Sequence, residues 1–482
     1  MAPCLAIDIG STWTKGARFD WSGDELVLRR RASHPTTVAD LAEGFAAVLD
    51  ALLPEESIGD TCDRIARGEI ELHYSSSAKG GLAVAALGLV PDITLESAKM
   101  AAYSAGARLT QVLSYRLTPS DIRALEAAPP DILLFAGGTD GGNTGYVLAN
   151  AQALAASSLT CAMVYAGNRS VRDEVCARLA GKSLVAVDNL LPALDSPHPE
   201  PAREAIRALF LERIVKGKGL DRVVALARGE PAPTPYAMFE FTRSIREHVP
   251  GWDEFLLLDI GGATTDVYSA HREMPSAGVV LRGLPEPDVK RTVEGDLGMR
   301  VSARATLDAG RRAIADRLGA NAHALAALQR YADDITAAPE HIPRDRDARQ
   351  LDTLLAGICL SEACARHAGR SHEVSTPDGL VQLQVGRDLS DVTRVIGSGG
   401  WLAHAQDFDP LPWLRSRHLD ERGRTVLLPR RVEYFRDADY VFPLLANVAR
   451  RHPAAAARAA VRSLRIATSL DSHGTHQPAP VA

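Results

Sequence analysis

The stretch LAIDIGSTWTKG, residues 5–16, ends an apolar run on an aspartate, turns through a glycine and continues into small hydroxyl residues and a lysine. An apolar run of this kind reads as a buried strand, and the glycine lets the backbone approach another group closely. Backbone N–H groups in such a turn, together with Ser and Thr hydroxyls, converge on one point and suit a phosphate. The same device returns at Leu258-Asp259-Ile260-Gly261-Gly262-Ala263-Thr264-Thr265-Asp266-Val267. A third strand-then-glycine passage, Val395-Ile396-Gly397-Ser398-Gly399-Gly400, precedes WLAHAQ, which reads as a helix. One such passage alone is an ordinary tight turn; three in this order point to a shared anion site.

The residue types assign roles. Asp8 and Asp259 suit Mg²⁺, which keeps much of its hydration and takes one or two carboxylates besides phosphate oxygens. Gly10, Ser11, Thr12, Thr14 and Lys15 in the first motif, and Gly261, Gly262, Thr264 and Thr265 in the second, are candidate phosphate contacts. Lys15 either reaches a phosphate oxygen or caps the hairpin turn. Gly397, Ser398, Gly399 and Gly400 offer bare backbone to a flat ring or a ribose phosphate. Asp266, or Glu294 in TVEGDLGM, is placed to align a water; Glu294 and Asp296 serve a helix N-terminus equally well. Asp8, Asp259, Asp266 and Glu294 are therefore the candidate catalytic residues.

Composition narrows the class. A chain of 482 residues exceeds the size at which one core keeps growing, so at least two domains are expected. A net charge of -6 gives no general attraction to nucleic acid or to an anionic membrane. No apolar run approaches a bilayer span, and MAPCLAIDIG lacks the basic and apolar regions of a secretory signal, so a cytoplasmic protein is expected. The six cysteines, Cys4, Cys62, Cys161, Cys176, Cys359 and Cys364, make no CxxC pair and read as small buried hydrophobes. The fourteen histidines form no HExxH spacing.

Along the chain, residues 4–32 read as a β-meander with turns at Gly10 and Ser22-Gly23, followed by a helix over 39–53 that ends at Pro54. From about 70 to 195, strands and helices alternate, which predicts a parallel sheet covered on both faces. TPSDIRALEAA is a helix with Thr118 as N-cap and Pro119 in its first turn. Pro-rich linkers at 196–201 and 227–237 flank a helical stretch, 296–372 is mostly helical, and a Pro/His/Ser tail is expected to be disordered.

DIGSTWTK, LDIGGATTDV and VIGSGG resemble the phosphate-1, phosphate-2 and adenosine motifs of the actin, Hsp70 and sugar-kinase superfamily. That resemblance implies an α/β protein with two RNase H-like lobes of the actin/Hsp70 type closing on Mg-ATP. SSSAKGGLAVAALGLVPDITLESAKMAAYSAGARL (75–109), ILLFAGGTDGGN (132–143) and RTVEGDLGMR (291–300) are similar to the MutL/GlmL family, accessory proteins of adenosylcobalamin-dependent glutamate (methylaspartate) mutase and related aminomutases. The family implies an ATP-driven, chaperone-like reactivating factor that exchanges damaged cobalamin on a mutase partner. Where such proteins carry a glycine in a helix contact between the two halves, VFPLLANVA has Ala446.

On this footing residues 1–75 form the first ATPase lobe and 76–200 an additional Rossmann-like α/β region. Residues 201–430 form the second lobe with its helical insertion, 431–465 are helices returning to the first, and 466–482 the tail. The 76–200 region resembles the cobalamin-binding domain of the mutases. Its loop Pro91-Asp92-Ile93-Thr94-Leu95-Glu96 stands where those domains carry Asp-x-His-x-x-Gly, and offers no histidine to cobalt. The Gly-rich loop 137–142 is expected either to contact an anion or partner or to serve as a turn. Two other functions share the superfamily. A small-molecule kinase would need a base and an acceptor pocket that no motif supplies. An iron–sulfur activator would need cysteines less isolated than Cys359 and Cys364.

Overall fold

The computed structural model describes residues 1–37, 39–77, 82–194, 196–214, 219–227, 229–274, 278–319, 321–377, 379–470 and 476–478. The chain opens with β1 (Cys4–Ile9), β2 (Trp13–Ser22) and β3 (Glu25–Pro35), the antiparallel meander expected from its turns. Helix Leu41–Leu52 follows, with the Asp40 carboxylate accepting from the Ala42 N–H as its cap. β4 (Glu71–Ser76) then lies parallel to β1.

Five strands come next, β5 (Leu82–Gly88), β6 (Ala107–Ser114), β7 (Ile132–Phe135), β8 (Ala162–Tyr165) and β9 (Leu184–Ala186), each joined to the next by helical segments. They form a wholly parallel sheet in the order β6-β5-β7-β8-β9. Both faces are covered: Ala85, Leu87, Leu133, Phe135, Met163 and Tyr165 pack into one core, while Val84, Ala86, Ile132, Leu134 and Val164 are buried on the other side. That two-sided burial is why the strands read as unbroken apolar runs. Thr118 and Asp121 form a reciprocal capping box before helix Pro119–Ala127.

The Gly-rich loop after β7 is held by its own neighbours. The Asp140 side chain accepts from the Arg169 N–H at 3.0 Å and the Asn189 amide at 2.8 Å. The N–H groups of Asp140, Gly141 and Gly142 donate to the Pro192 carbonyl, the Asn168 side chain and the Thr139 carbonyl. Three successive amides that an anion would need are thus engaged within the loop. Of segment 75–109, residues 78–81 lie outside the described residues.

β10 (Ala232–Pro233) adds to β4, giving the first sheet the order β10-β4-β1-β2-β3. The remaining strands are β11 (Phe255–Ile260), β12 (Thr265–Ala270), β13 (Val279–Arg282), β14 (Val289–Glu294), β15 (Arg370–Thr376), β16 (Gly379–Val385), β17 (Arg394–Ser398), β18 (Thr425–Val426), β19 (Glu433–Arg436), β20 (Arg465–Leu470) and β21 (His476–Pro478). β14, β12, β11, β17 and β19 are neighbours in that order, with β11, β12 and β14 antiparallel and β17 and β19 parallel to β11. The third, second, first, fourth and fifth strands thus lie side by side in both sheets. This repeated plan is the pair of RNase H-like lobes that the motifs implied. The helical stretch after β14 resolves into helices Ala303–Ala309, Arg311–Leu318, Ala322–Ala337 and Arg346–His367.

Two departures concern local structure. WLAHAQ is a run of turns after β17 and not an α-helix, its N–H groups bonding back at mixed intervals, His404 to Trp401 and Ala403 to Gly399. Strand β20 continues from 465 along β19, while residues 471–475 and 479–482 of the expected tail lie outside the described residues. By packing, the chain divides into one unit of Met1–Gly80, Gly217–Arg282 and Glu286–Ala482, which holds both lobes, and another of Gly81–Lys216 with Gly283–Pro285. No helix among the described residues is long and apolar enough to cross a membrane.

Candidate functional site

Strand parity aims both motif aspartates into one layer. Cys4 and Ala6 of β1 and Phe255 and Leu257 of β11 share a single apolar core between the two sheets. Side chains two residues on leave the same face, so Asp8 and Asp259 continue those rows at the carboxyl ends of their strands. In both sheets the strand then turns through one hairpin, closed by Gly10 N–H to the Trp13 carbonyl at 3.1 Å and by Gly261 N–H to the Thr264 carbonyl at 2.9 Å. The two tips meet: the Thr12 methyl lies 3.3 Å from where a Cβ on Gly262 would stand. Gly399, at φ +101°, brings the third loop so near that a Cβ there would collide with the Ile260 carbonyl and lie 3.0 Å from Asp259 Oδ1. The three glycine passages, distant in sequence, therefore surround one point.

The charges at that point are mostly negative. Asp8 is 2% exposed and accepts from Thr234 Oγ1 at 2.7 Å and Ser75 Oγ at 3.1 Å, and on its other oxygen from the Tyr440 hydroxyl at 3.3 Å. Burial raises its pKa, and these donors and Lys15 oppose the rise. Asp259 is pushed up to about 7 by burial and by the nearby carboxylates of Asp266 and Asp8. A third carboxylate, Asp437, is pushed to about 6 by burial. It accepts from the Val441 and Phe442 N–H groups at 2.7 and 3.1 Å and from Ser398 Oγ at 3.0 Å. Lys15 faces all three, its ammonium 3.3 Å above the Tyr440 ring; burial lowers its pKa while Asp8, Asp259 and Asp437 raise it.

One lysine faces three carboxylates, so ionising all three leaves negative charge uncompensated. A divalent cation fits that excess, and Asp8 and Asp259 fit its ligands, because hard cations of this class bind oxygen donors. An anionic polyphosphate without such a cation would meet repulsion here.

The other expected residues are distributed unevenly. Ser11, Thr12 and Thr264 sit half-buried at the hairpin tips, and Gly400 is exposed with its Cβ position 3.5 Å from the Lys15 ammonium. Thr14 Oγ1 is 3.2 Å from Thr36 Oγ1, and Thr265 Oγ1 donates to the Leu297 carbonyl at 2.9 Å, both within the interior. The space a side chain on Gly397 would need is filled by the Tyr434 ring. Asp266 pairs across the strands with Asp259 and is held by Arg291, whose Nε donates to it at 2.8 Å. Glu294 pairs with Thr265 and so leaves the opposite face of the sheet, where Arg366 grips it and Asp296, each at 2.7 Å. The GDLGMR segment braces the second hairpin: the N–H groups of Met299 and Arg300 donate to the carbonyls of Gly261 and Gly262.

Asp437, Tyr440 and Thr234 belong to this site and carry no motif, and Ser75, the first residue of the 75–109 segment, belongs to it too. Tyr440 holds a φ of +51°, unusual for a residue with a side chain, in the turn between β19 and helix Phe442–Ala449. Helix-compatible FPLLANVA directly after a polar turn is the one local hint of Asp437 as a cap.

Residues 4–464 match the family described as MutL protein. Protein MutL of Clostridium tetanomorphum is 37% identical over 464 residues, covering 94% of this chain and 97% of the relative. Among solved structures, a xylulose kinase from Lactobacillus acidophilus aligns with 96% of this chain and 90% of its own at 10% identity and a TM-score of 0.31. A glycerol dehydratase reactivase aligns with 93% and 100% at 11% identity and a TM-score of 0.29. With both hairpins, the GDLGMR brace and the parallel sheet all inside the matched span, the chain belongs to the MutL protein family.

Proposed function

We propose that this chain is an ATP-dependent, chaperone-like reactivating factor for an adenosylcobalamin-dependent amino-acid mutase, and that it binds and slowly hydrolyses Mg-ATP between its two lobes. The observation that carries the nucleotide half is the meeting of Asp8 and Asp259, from equivalent positions in two like sheets, with Lys15 between them. The relative's name and the three family-like segments support the partner half.

Asp8 and Asp259 would hold Mg²⁺, in part through water. The ion would neutralise the β- and γ-phosphate oxygens and so lower the barrier to transfer. The hairpin amides near Ser11, Thr12, Gly262 and Thr264 position the phosphates, and Lys15 faces the developing charge. Gly399 and Gly400 keep the third loop low enough for the nucleoside end. Arg291 fixes Asp266 behind Asp259 and so keeps a second carboxylate oriented beside the one that would hold the ion. Because both lobes contribute contacts, ATP favours their closed arrangement by its greater affinity for it, and hydrolysis removes that preference. The output is movement imposed on a docked mutase, not a phosphorylated product.

The test is recovery of a mutase stalled with cyanocobalamin. Recovery that needs ATP, Mg²⁺ and both Asp8 and Asp259 is expected, with Asp8→Ala and Asp259→Ala inactive. Failure to recover, with ATP consumed only when a small acceptor is added, would assign the chain to small-molecule phosphorylation instead.

A further inference from the structure

A second cluster lies at the opposite end of β1 from Asp8. Cys4 is in parallel register with Glu71 of β4, and His73 follows two residues later, so all three side chains leave one face of the sheet. His452, in the turn between helices Phe442–Ala449 and Pro453–Ser463, comes down on the same spot. Glu71 Oε2 is 2.8 Å from His452 Nε2, 3.1 Å from His73 Nε2 and 4.0 Å from Cys4 Sγ. The Cys4, Glu71 and His73 donor atoms all lie within 4.8 Å of one another.

We propose that Cys4, Glu71, His73 and His452 form a structural zinc site that clamps the C-terminal helix pair onto the first sheet. Three donors of the types zinc prefers, the Cys4 thiol, the Glu71 carboxylate and the His73 imidazole, lie within 4.8 Å of one another, and the His452 imidazole, in contact with Glu71 Oε2, is the side chain at hand to complete a set of four. With zinc bonds of about 2.0–2.3 Å, tetrahedral ligand atoms stand about 3.3–3.8 Å apart, a range bracketed by the 2.8, 3.1 and 4.0 Å spacings around Glu71 Oε2. A thiolate and a carboxylate together balance the charge of the ion, which suits a site where Cys4 is fully buried. The Trp21 indole N–H is buried without an acceptor among the described residues and stands beside the Cys4 sulfur, to which it can donate. The Trp21 ring also packs edge-on against His452, with centroids 5.0 Å apart, and fixes the orientation of that ligand. Arg451, largely exposed, reaches the other Glu71 oxygen, Oε1, at 3.6 Å and leaves Oε2 to the ligands.

The test uses the full chain, with any affinity tag at its C-terminal end, grown with zinc and passed through weak chelator before elemental analysis. Wild type is expected to keep about one zinc per chain, and Cys4→Ser and His452→Gln to lose it at least about tenfold more readily. Co²⁺ added to zinc-stripped wild type should give a thiolate-to-cobalt charge-transfer band, absent from Cys4→Ser. His452→Gln sits on a surface turn and keeps the test valid if Cys4→Ser fails to fold; its ATP affinity should match wild type. A wild-type chain that holds no zinc and gives no sulfur-to-cobalt band overturns the proposal, as does zinc retained undiminished by both variants.

Discussion

The substitution Asp259→Asn keeps the shape of the side chain and removes its charge. In the folded chain Asp259 titrates at about 7 against an ordinary 3.8, so between those values the folded state binds more protons than the unfolded one. Stability must therefore fall as pH rises through that window, and the penalty is complete only above pH 7. A shift of about 3 units at about 1.4 kcal/mol each corresponds to something on the order of 4 kcal/mol. The asparagine variant escapes it. In the absence of Mg²⁺ and nucleotide, Asp259→Asn should thus be more stable than wild type, with the gap widening by about 2–3 kcal/mol between pH 5 and pH 8. Urea unfolding followed by tryptophan fluorescence reads this directly, because all five tryptophans, Trp13, Trp21, Trp252, Trp401 and Trp413, lie in the unit that holds both lobes. Adding Mg²⁺ at pH 8 should stabilise wild type and leave the variant unmoved. A gap that is constant with pH, or of the opposite sign, would mean that Lys15 keeps Asp259 ionised and would refute the argument for an uncompensated carboxylate cluster.

Arg291→Met should destabilise the same unit by about 3–5 kcal/mol, since Asp266 would be left buried and unpaired, and adding Asp266→Asn should restore part of the loss in the same urea assay. Gly399→Ala places a methyl against the Ile260 carbonyl in a left-handed conformation, so nucleotide affinity measured by fluorescence titration should fall at least about tenfold. Thr118→Ala removes one half of a capping box and should weaken helix Pro119–Ala127 by about 1 kcal/mol in hydrogen exchange, with ATP turnover unchanged.

The strands and the three glycine passages were legible because their signals are local: apolar runs, hydroxyl-rich turns and regular alternation. The direction of side chains across a sheet was not, since it depends on register. Glu294 stands only a few residues from the phosphate-2 brace in sequence, yet its pairing with Thr265 sends it to the face opposite Asp259. Asp437 and Tyr440 carried no motif because their part in the site comes from the return of the last helices to the first sheet. WLAHAQ has the composition of a helix, but the loop it belongs to is bound by close backbone contact at Gly399, and it turns sooner. Thr14, Thr265 and Ser398 look like phosphate ligands on paper; their hydroxyls are spent on neighbours inside the protein.

The first sheet borrows much of its core from residues far along the chain. Cys4, Ala17, Phe19 and Leu26 are covered by Phe442, Leu445, Ala456 and Ala460. During synthesis the early strands leave the ribosome long before those helices exist, whereas the parallel sheet of 82–186 draws its strands from one continuous stretch. The nascent chain therefore carries an apolar surface uncovered through most of its own translation, and its first-made strands are among the last to reach their final packing.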